Sequence, residues 1–164
     1  AVPNPHLISF VDEETMHSKL LGQLGKMLNE PNEYFPDGVN VSFAQILDRN
    51  TLFVRTYERG VGFTNACGTG MSATSLAFCL NHPEVADFNQ TISVYNPGGM
   101  VKTRVHDNDS NFTIDLIGNA TFTHKVEIPE EDLHANVLDH AQITETGEQP
   151  AYLRFVEGLK RQRV

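Results

Sequence analysis

Cys67 is the residue of this chain best placed to do chemistry. It precedes residues 69–81, where small and apolar side chains predict a helix that the rest of the domain encloses. The first turn of such a helix presents free backbone N–H groups and a positive dipole end, which favour a carboxylate and lower the pKa of a thiol. The sequence predicts a cysteine that moves protons or attacks a substrate. The alternative is a small, buried core cysteine.

Three further polar groups are candidates for the same site. Asn4-Pro5-His6 stands before a predicted strand, Asn40 interrupts an apolar alternation, and Glu58-Arg59 precedes the loop that leads to Cys67-Gly68-Thr69-Gly70. Each has an ordinary interpretation as a turn, a backbone-bonded amide or a surface ion pair. Because the strands that they flank lead to the same central helix, we predict that these groups meet near Cys67.

Several other kinds of site are excluded by missing motifs. The chain contains no G-x-S-x-G, no P-loop and no Rossmann glycine fingerprint. Its histidines show no metal-ligand spacing, and two cysteines cannot build a zinc knuckle. A mechanism at Cys67 without a metal or an organic cofactor is what remains.

Composition limits the partners and the compartment. A net charge of −9 and a pI of about 5.1 argue against a nucleic-acid partner, and no apolar run is long enough to span a membrane. The basic run at 160–163 is predicted to be a solvated tail. Cys67 and Cys79 would lie about 18 Å apart along one helix, too far for a disulfide, which favours a reducing, cytoplasmic setting.

The elements that must position these residues give an α+β fold. We predict mixed or antiparallel strands curled around one central apolar helix, with peripheral helices. The predicted strands are 6–11, 39–47, 51–57, 91–96, 100–106, 112–117 and 120–128. The predicted helices are 15–30, 69–81, 130–140 and 152–163. Residues 1–128 are assigned to one domain and 129–164 to a helical C-terminal extension.

The motifs, taken together, resemble one known family. Tyr57-Glu58-Arg59-Gly60 and Ala66-Cys67-Gly68-Thr69-Gly70, with Asn4-Pro5-His6, Val39-Asn40-Val41 and Pro97-Gly98-Gly99, resemble the C-terminal half of diaminopimelate epimerase across about residues 2–128. The resemblance implies two similar domains with the active site between them and a catalytic cysteine at the start of each central helix. That family converts LL-diaminopimelate to the meso isomer, for lysine and peptidoglycan synthesis, without pyridoxal phosphate or metal.

The resemblance also implies roles for individual residues. Cys67 would be one of the two acid–base cysteines, with His6 and Glu58 as polar catalytic groups near the cysteine pair. The implied substrate-binding residues are Asn4, Asn40, Glu58, Arg59, Gly68 and Thr69. Among these, the backbone N–H groups of Gly68 and Thr69 would receive the reacting carboxylate.

Two departures from the family qualify this assignment. The family usually has Gly-Glu-Thr where this chain has Gly62-Phe63-Thr64, and we expect a local change in packing there. The chain also has no second catalytic cysteine, since Cys79 lies about three turns along the same helix. The resemblance therefore implies that the N-terminal domain of the enzyme is absent and that this chain alone is inactive. The extension is assigned packing or oligomer contacts, a homodimer among them.

Three alternatives stay open at this point. The first is a related cofactor-independent racemase or isomerase for another amino acid, although the polar groups favour a substrate with a second zwitterionic end. The second is a hydrolase or transferase with Cys67 as nucleophile, His6 as base and Asn4 as the orienting residue. The third is a non-catalytic domain that is retained for dimerisation.

Overall fold

The computed structural model describes residues 3–109 and 111–161 and divides into two compact units after Gly118. The first unit holds strands β1 (His6–Phe10), β2 (Asn40–Asp48), β3 (Thr51–Glu58), β4 (Gly62–Thr64), β5 (Thr91–Asn96), β6 (Gly99–Asn108) and β7 (Asn111–Ile117), with helices α1 (Glu13–His17), α2 (Leu20–Asn29) and α3 (Gly68–Asn81). The strands form one seven-stranded sheet in the order β1-β2-β3-β5-β6-β7, with β4 paired to β3. The β1–β2 and β3–β5 pairs are parallel and the others antiparallel.

Helix α3 is the central helix of this unit. Its buried residues, which include Met71 and Phe78, pack with Leu52, Val54 and Ile92 of the sheet in one hydrophobic cluster. The hydroxyl of Ser75 would be costly to bury alone, but it donates to the Met71 carbonyl at 2.9 Å. The α+β class, with mixed strands around one apolar helix, is confirmed.

The opposite face of the sheet carries a second cluster, which holds the peripheral helices. Met16 of α1 and Leu21 of α2 pack with Val41 and Phe43 of β2, and Tyr57 of β3 contacts the same cluster. Residues alternate between the two faces along a strand, so β3 serves both clusters.

The single helix predicted at 15–30 is wrong. The chain forms α1 and α2 instead, because the backbone of Ser18 is extended and its hydroxyl accepts the N–H of Leu20 at 3.2 Å. This local bond offers the backbone an alternative to the helical ladder. The short strand β4 was not predicted at all.

The second unit, described by itself, is less regular than predicted. It contains strands β8 (His124–Glu127) and β9 (Gln142–Glu145), which pair as a separate two-stranded sheet, and helices α4 (Glu130–Ala135) and α5 (Gln149–Arg161). The strand predicted at 120–128 is therefore shorter, and β9 was missed. The helix predicted at 130–140 stops at Ala135 because Asn136 is left-handed, with φ of 55°.

The structure does not test three of the predictions. The solvated basic tail at 160–163 and the end of the last helix lie outside the residues whose side chains are described. The assignment of 1–128 to an epimerase domain and of 129–164 to an extension stays a prediction. Within 3–109 and 111–161, no helix combines the length and the apolar character needed to cross a membrane.

The buried thiol of Cys79 predicts a loss of stability at alkaline pH. This side chain is 1% exposed, and burial, helped by the negative charge of Asp87, raises its pKa from 9.0 to about 11. The folded state therefore holds its proton more tightly than the unfolded state does. The stabilisation is complete below pH 9.0 and is lost as the pH rises to about 11.

Urea denaturation of the native chain and of Cys79→Ala, from pH 8 to pH 11, checks this prediction. We expect the free energy of unfolding of the native chain to fall by on the order of 2 kcal/mol more than that of the variant. Parallel pH profiles for the two proteins would contradict it.

Candidate active site

One edge of the sheet gathers the polar residues that the sequence singled out. β1 and β2 run parallel and begin together, with His6 opposite Asn40. β3 runs antiparallel to β2, and Val41 pairs with Tyr57 just before Glu58. The starts of two strands and the end of a third therefore meet at the same edge.

Cys67 lies at the N-cap of α3, in an extended backbone conformation with φ of −129° and ψ of 103°. Its Sγ accepts the N–H of Gly70 at 3.4 Å and lies 3.6 Å from the Thr69 hydroxyl. The residue is only 6% exposed. The sulfur thus lies over the first turn of a helix that is largely buried.

The pKa of the Cys67 thiol is raised above its usual value. Burial is the largest cause, and the nearby Glu58 adds to it by its negative charge and by a hydrogen bond. The contacts with Thr69 and Gly70 act in the opposite direction but are outweighed. The prediction of a thiol held toward the thiolate form is wrong for this chain, because desolvation exceeds the effect of the helix N-terminus.

Glu58 is positioned by a tight turn at the end of β3. Gly60 and Gly62 have φ of +76° and +98°, a region that side-chain-bearing residues rarely adopt, so the chain can reverse into β4 within a few residues. The reversal places Thr64 across from Thr56. The Thr64 hydroxyl donates to the Oε1 atom of Glu58.

Asn40 and Arg59 stabilise the same turn. The buried side chain of Asn40 accepts the backbone N–H of Arg59 through Oδ1 at 2.8 Å. The exposed guanidinium of Arg59 donates from Nη1 to the carbonyl of Asp37 at 2.8 Å. Asn40 therefore has the backbone-bonding role that was its ordinary interpretation, and through it Asn40 orients Arg59.

Asn4 and His6 form a second polar pair at this edge. The Asn4 Oδ1 atom and the His6 Nε2 atom lie 3.3 Å apart, and both side chains are half-buried. The backbone N–H of Asn40 donates to the carbonyl of Pro5, between the two, at 3.2 Å. The three polar segments are therefore linked through the backbone of β2.

Cys67 lines a narrow crevice that sequence reasoning did not anticipate. The other polar residues of its lining are Thr56, Thr64, Asn65 and Asn96. Its empty volume is only about 170 Å³. This crevice, as the described residues form it, is too small to enclose a ligand the size of an amino acid.

The Asn96-Pro97-Gly98-Gly99 turn was predicted as a hairpin, and its place beside Cys67 comes from two contacts. Gly98 donates its N–H to the carbonyl of Asn65 at 2.9 Å, and a Cβ at Gly98 would lie 3.1 Å from that same oxygen. Asn96 also contacts Met71 of α3 through its side-chain amide at 3.2 Å. In the sequence, only the glycine of the motif indicated that this turn lies close to the backbone of Asn65.

Comparison with known proteins identifies the family. The family model described as diaminopimelate epimerase matches residues 1–123. This chain belongs to the diaminopimelate epimerase family. The diaminopimelate epimerase of Lactiplantibacillus plantarum is 56% identical over 97% of this chain and 48% of its own length. That of Ligilactobacillus salivarius is 53% identical over 98% of the chain and 50% of its own length.

The chain spans about half the length of these curated relatives. Among solved structures, a predicted epimerase from Pseudomonas aeruginosa covers 75% of this chain and 40% of its own, with 14% identity and a TM-score of 0.46.

The first turn of α3 has backbone N–H donors without a protein partner in the described part of the chain. Within the described residues, no protein acceptor is bonded to the backbone N–H groups of Gly68 or Thr69. The next N–H, that of Gly70, is bonded to the Cys67 sulfur. Two N–H groups beside the thiol can therefore receive a carboxylate.

Phe63, where the resemblance implied a glutamate, does not line the crevice. Its ring packs edge-on against Tyr57 at 5.5 Å, and the Arg55 guanidinium lies 5.3 Å from its centroid. A Cβ at Gly22 of α2 would come within 3.1 Å of the same ring. The side chain packs on the face opposite Cys67, and the change in packing relative to the family stays a prediction.

Proposed function

We propose that this chain is the Cys67-bearing half of a cofactor-independent diaminopimelate epimerase, an isomerase that converts LL-2,6-diaminopimelate to the meso form. The observation that carries the proposal is a cysteine beside two free helix N–H groups, at the motif that places the chain in this family. Because the relatives are about twice as long, the rest of such an enzyme is proposed to supply a second domain and a second cysteine.

The reaction requires one proton to leave and another to arrive on opposite faces of one α-carbon. A thiolate on the second cysteine takes the α-proton, so that the C–H bond breaks and an S–H bond forms. The electron pair moves toward the substrate carboxylate, whose growing negative charge is stabilised by the N–H groups of Gly68 and Thr69. Cys67 then gives its thiol proton to the carbon and is left as the thiolate.

The raised pKa of Cys67 suits it to be the proton donor in the LL-to-meso direction, because a thiol at neutral pH already carries the proton to be delivered. In the reverse direction the two cysteines exchange roles. The same raised pKa disfavours the alternative of a cysteine hydrolase, which requires a nucleophilic thiolate.

The polar edge of the sheet is proposed to hold the distal amino-acid end of the substrate. Asn4, Asn40 and Arg59 supply amide groups and a guanidinium, which suit a carboxylate and an ammonium group. His6 and Glu58 are proposed as the polar groups near the cysteine pair. A second zwitterionic end distinguishes diaminopimelate from the substrates of racemases for simple amino acids.

The wider setting is part of the same proposal. An enzyme with this activity supplies meso-diaminopimelate for lysine and peptidoglycan synthesis, and we propose that it works in the cytoplasm. Residues 129–164 are proposed to make packing or homodimer contacts.

Exchange of the α-hydrogen tests the proposal. LL-diaminopimelate is incubated in D2O with this chain alone and with a fusion of this chain to the part of the L. plantarum relative that lies outside the matched region. We expect deuterium at the α-carbon and the meso isomer only with the fusion. A folded fusion that exchanges nothing, beside an active full-length relative, would overturn the proposal.

A further inference from the structure

The short strand β4 places its residues on the two faces of the sheet edge. Phe63, opposite Tyr57, points to the face of α2, whereas Thr64, opposite Thr56, points to the face of α3. Thr64 lines the same crevice as Cys67. The three-residue strand β4 therefore places the Thr64 hydroxyl in the crevice and the Phe63 ring on the opposite face of the sheet.

Among the described residues, the Thr64 hydroxyl makes one side-chain hydrogen bond, and its acceptor is a carboxylate. It donates to Oε1 of Glu58, at the end of the neighbouring strand. Of the described residues, Glu58 is the charged group that acts on the Cys67 thiol; the other contacts, from Thr69 and Gly70, are uncharged. The negative charge of this carboxylate is therefore one cause of the raised pKa of the Cys67 thiol, after burial.

We propose that Thr64 is a positioning residue, whose hydroxyl bond holds the Glu58 carboxylate beside the crevice that Thr64 and Cys67 line together. Its meaning for catalysis rests on the proposed function, but the arrangement itself does not. Glu58 is half-buried at a strand end, so its side chain has other rotamers that point to solvent once the bond is lost.

The strand is fixed well enough to give this hydroxyl a defined position. Backbone pairing joins Thr64 to Thr56 and Gly62 to Glu58. On the outer face, Phe63 is held by Tyr57 and by the close approach of Gly22. While β4 stays paired with β3 in this way, the Thr64 hydroxyl has a defined position from which to orient its acceptor.

The test is the reactivity of Cys67 in the 164-residue chain, measured as the rate of alkylation by iodoacetamide against pH and resolved by peptide mass. Loss of the Thr64 bond should release Glu58, lower the pKa of Cys67 and speed its alkylation at pH 8. We expect a rise of about threefold for Thr64→Val, the order of one lost hydrogen bond. Thr64→Ser, which keeps the hydroxyl, should retain the native rate.

A double-mutant cycle decides whether Thr64 acts through Glu58. We expect Glu58→Gln to speed alkylation and Thr64→Val to add nothing in that background. An unchanged rate in Thr64→Val, or an equal rise in both backgrounds, would overturn the inference. Circular dichroism reports folding of each variant, and Thr64→Ala replaces Thr64→Val if the latter does not fold.

This readout is independent of epimerase activity. If the fusion fails to exchange the α-hydrogen while Cys67 responds as expected, the proposed function fails and the positioning role stands. If the fusion epimerises and Cys67 does not respond to Thr64→Val, the positioning role fails alone.

Discussion

Replacement of Cys67 by alanine is expected to lower epimerisation by the fusion at least about 1,000-fold, the scale of a lost general acid or base. No other described side chain at the N-terminus of α3 can take over the proton, since the Thr69 hydroxyl is a far weaker acid than a thiol. Chiral analysis of the product, with deuterium incorporation measured in parallel, gives the rate.

Cys79→Ala is the matched control, because it removes the other thiol of the same helix at a buried position far from the crevice. This variant should keep activity within a few-fold of the native fusion at neutral pH. Comparable losses for both variants would show that removal of any α3 thiol acts through the fold. Retained activity in Cys67→Ala would remove the cysteine from the mechanism.

Phe78→Ala is expected to cost about 3–5 kcal/mol in the free energy of unfolding, the range for a buried aromatic residue cut to a methyl group. Phe78 is fully buried in the main cluster, and its ring lies 6.1 Å from that of Phe10 and 6.0 Å from that of His82. Neighbours on α3 and on β1 together cannot collapse into the cavity without moving the helix.

Leu80→Ala is the control, since Leu80 stands on the same helix and is 52% exposed. It should cost less than about 1 kcal/mol, as surface substitutions usually do. Urea denaturation of the three proteins gives the comparison. Equal losses for the two variants would mean that α3 is less enclosed than the structure has it.

The parts of the fold that follow from long patterns were predictable. The apolar run of α3 and the alternation in β2 and β3 each extend over many residues, so single exceptions do not hide the period. The break at Ser18 was not predictable in this way. It depends on one hydroxyl that bonds the local backbone, and the surrounding leucines keep their helical spacing across it.

The candidate site divides along similar lines. The motifs predicted that Glu58, Asn40 and His6 lie near Cys67, and the register of three strands brings these three residues to one edge of the sheet. Thr64 escaped notice because a three-residue strand leaves no periodic signal. The direction of the Cys67 pKa could not be derived either, because desolvation depends on how closely the whole unit packs around the sulfur.

Strand β3 forks. Along one edge it lies against β2 for nearly its whole length, but along the other edge Thr51–Phe53 pair with β5 and Thr56–Glu58 pair with the three-residue β4. The two ends of β3 should therefore differ in the free energy of local opening. The end near β5 opens only with the core, whereas β4 can detach by breaking few contacts. In native-state hydrogen exchange, the amides around Glu58 should thus exchange faster than those around Leu52. The edge beside Cys67 can then open locally while the core stays folded.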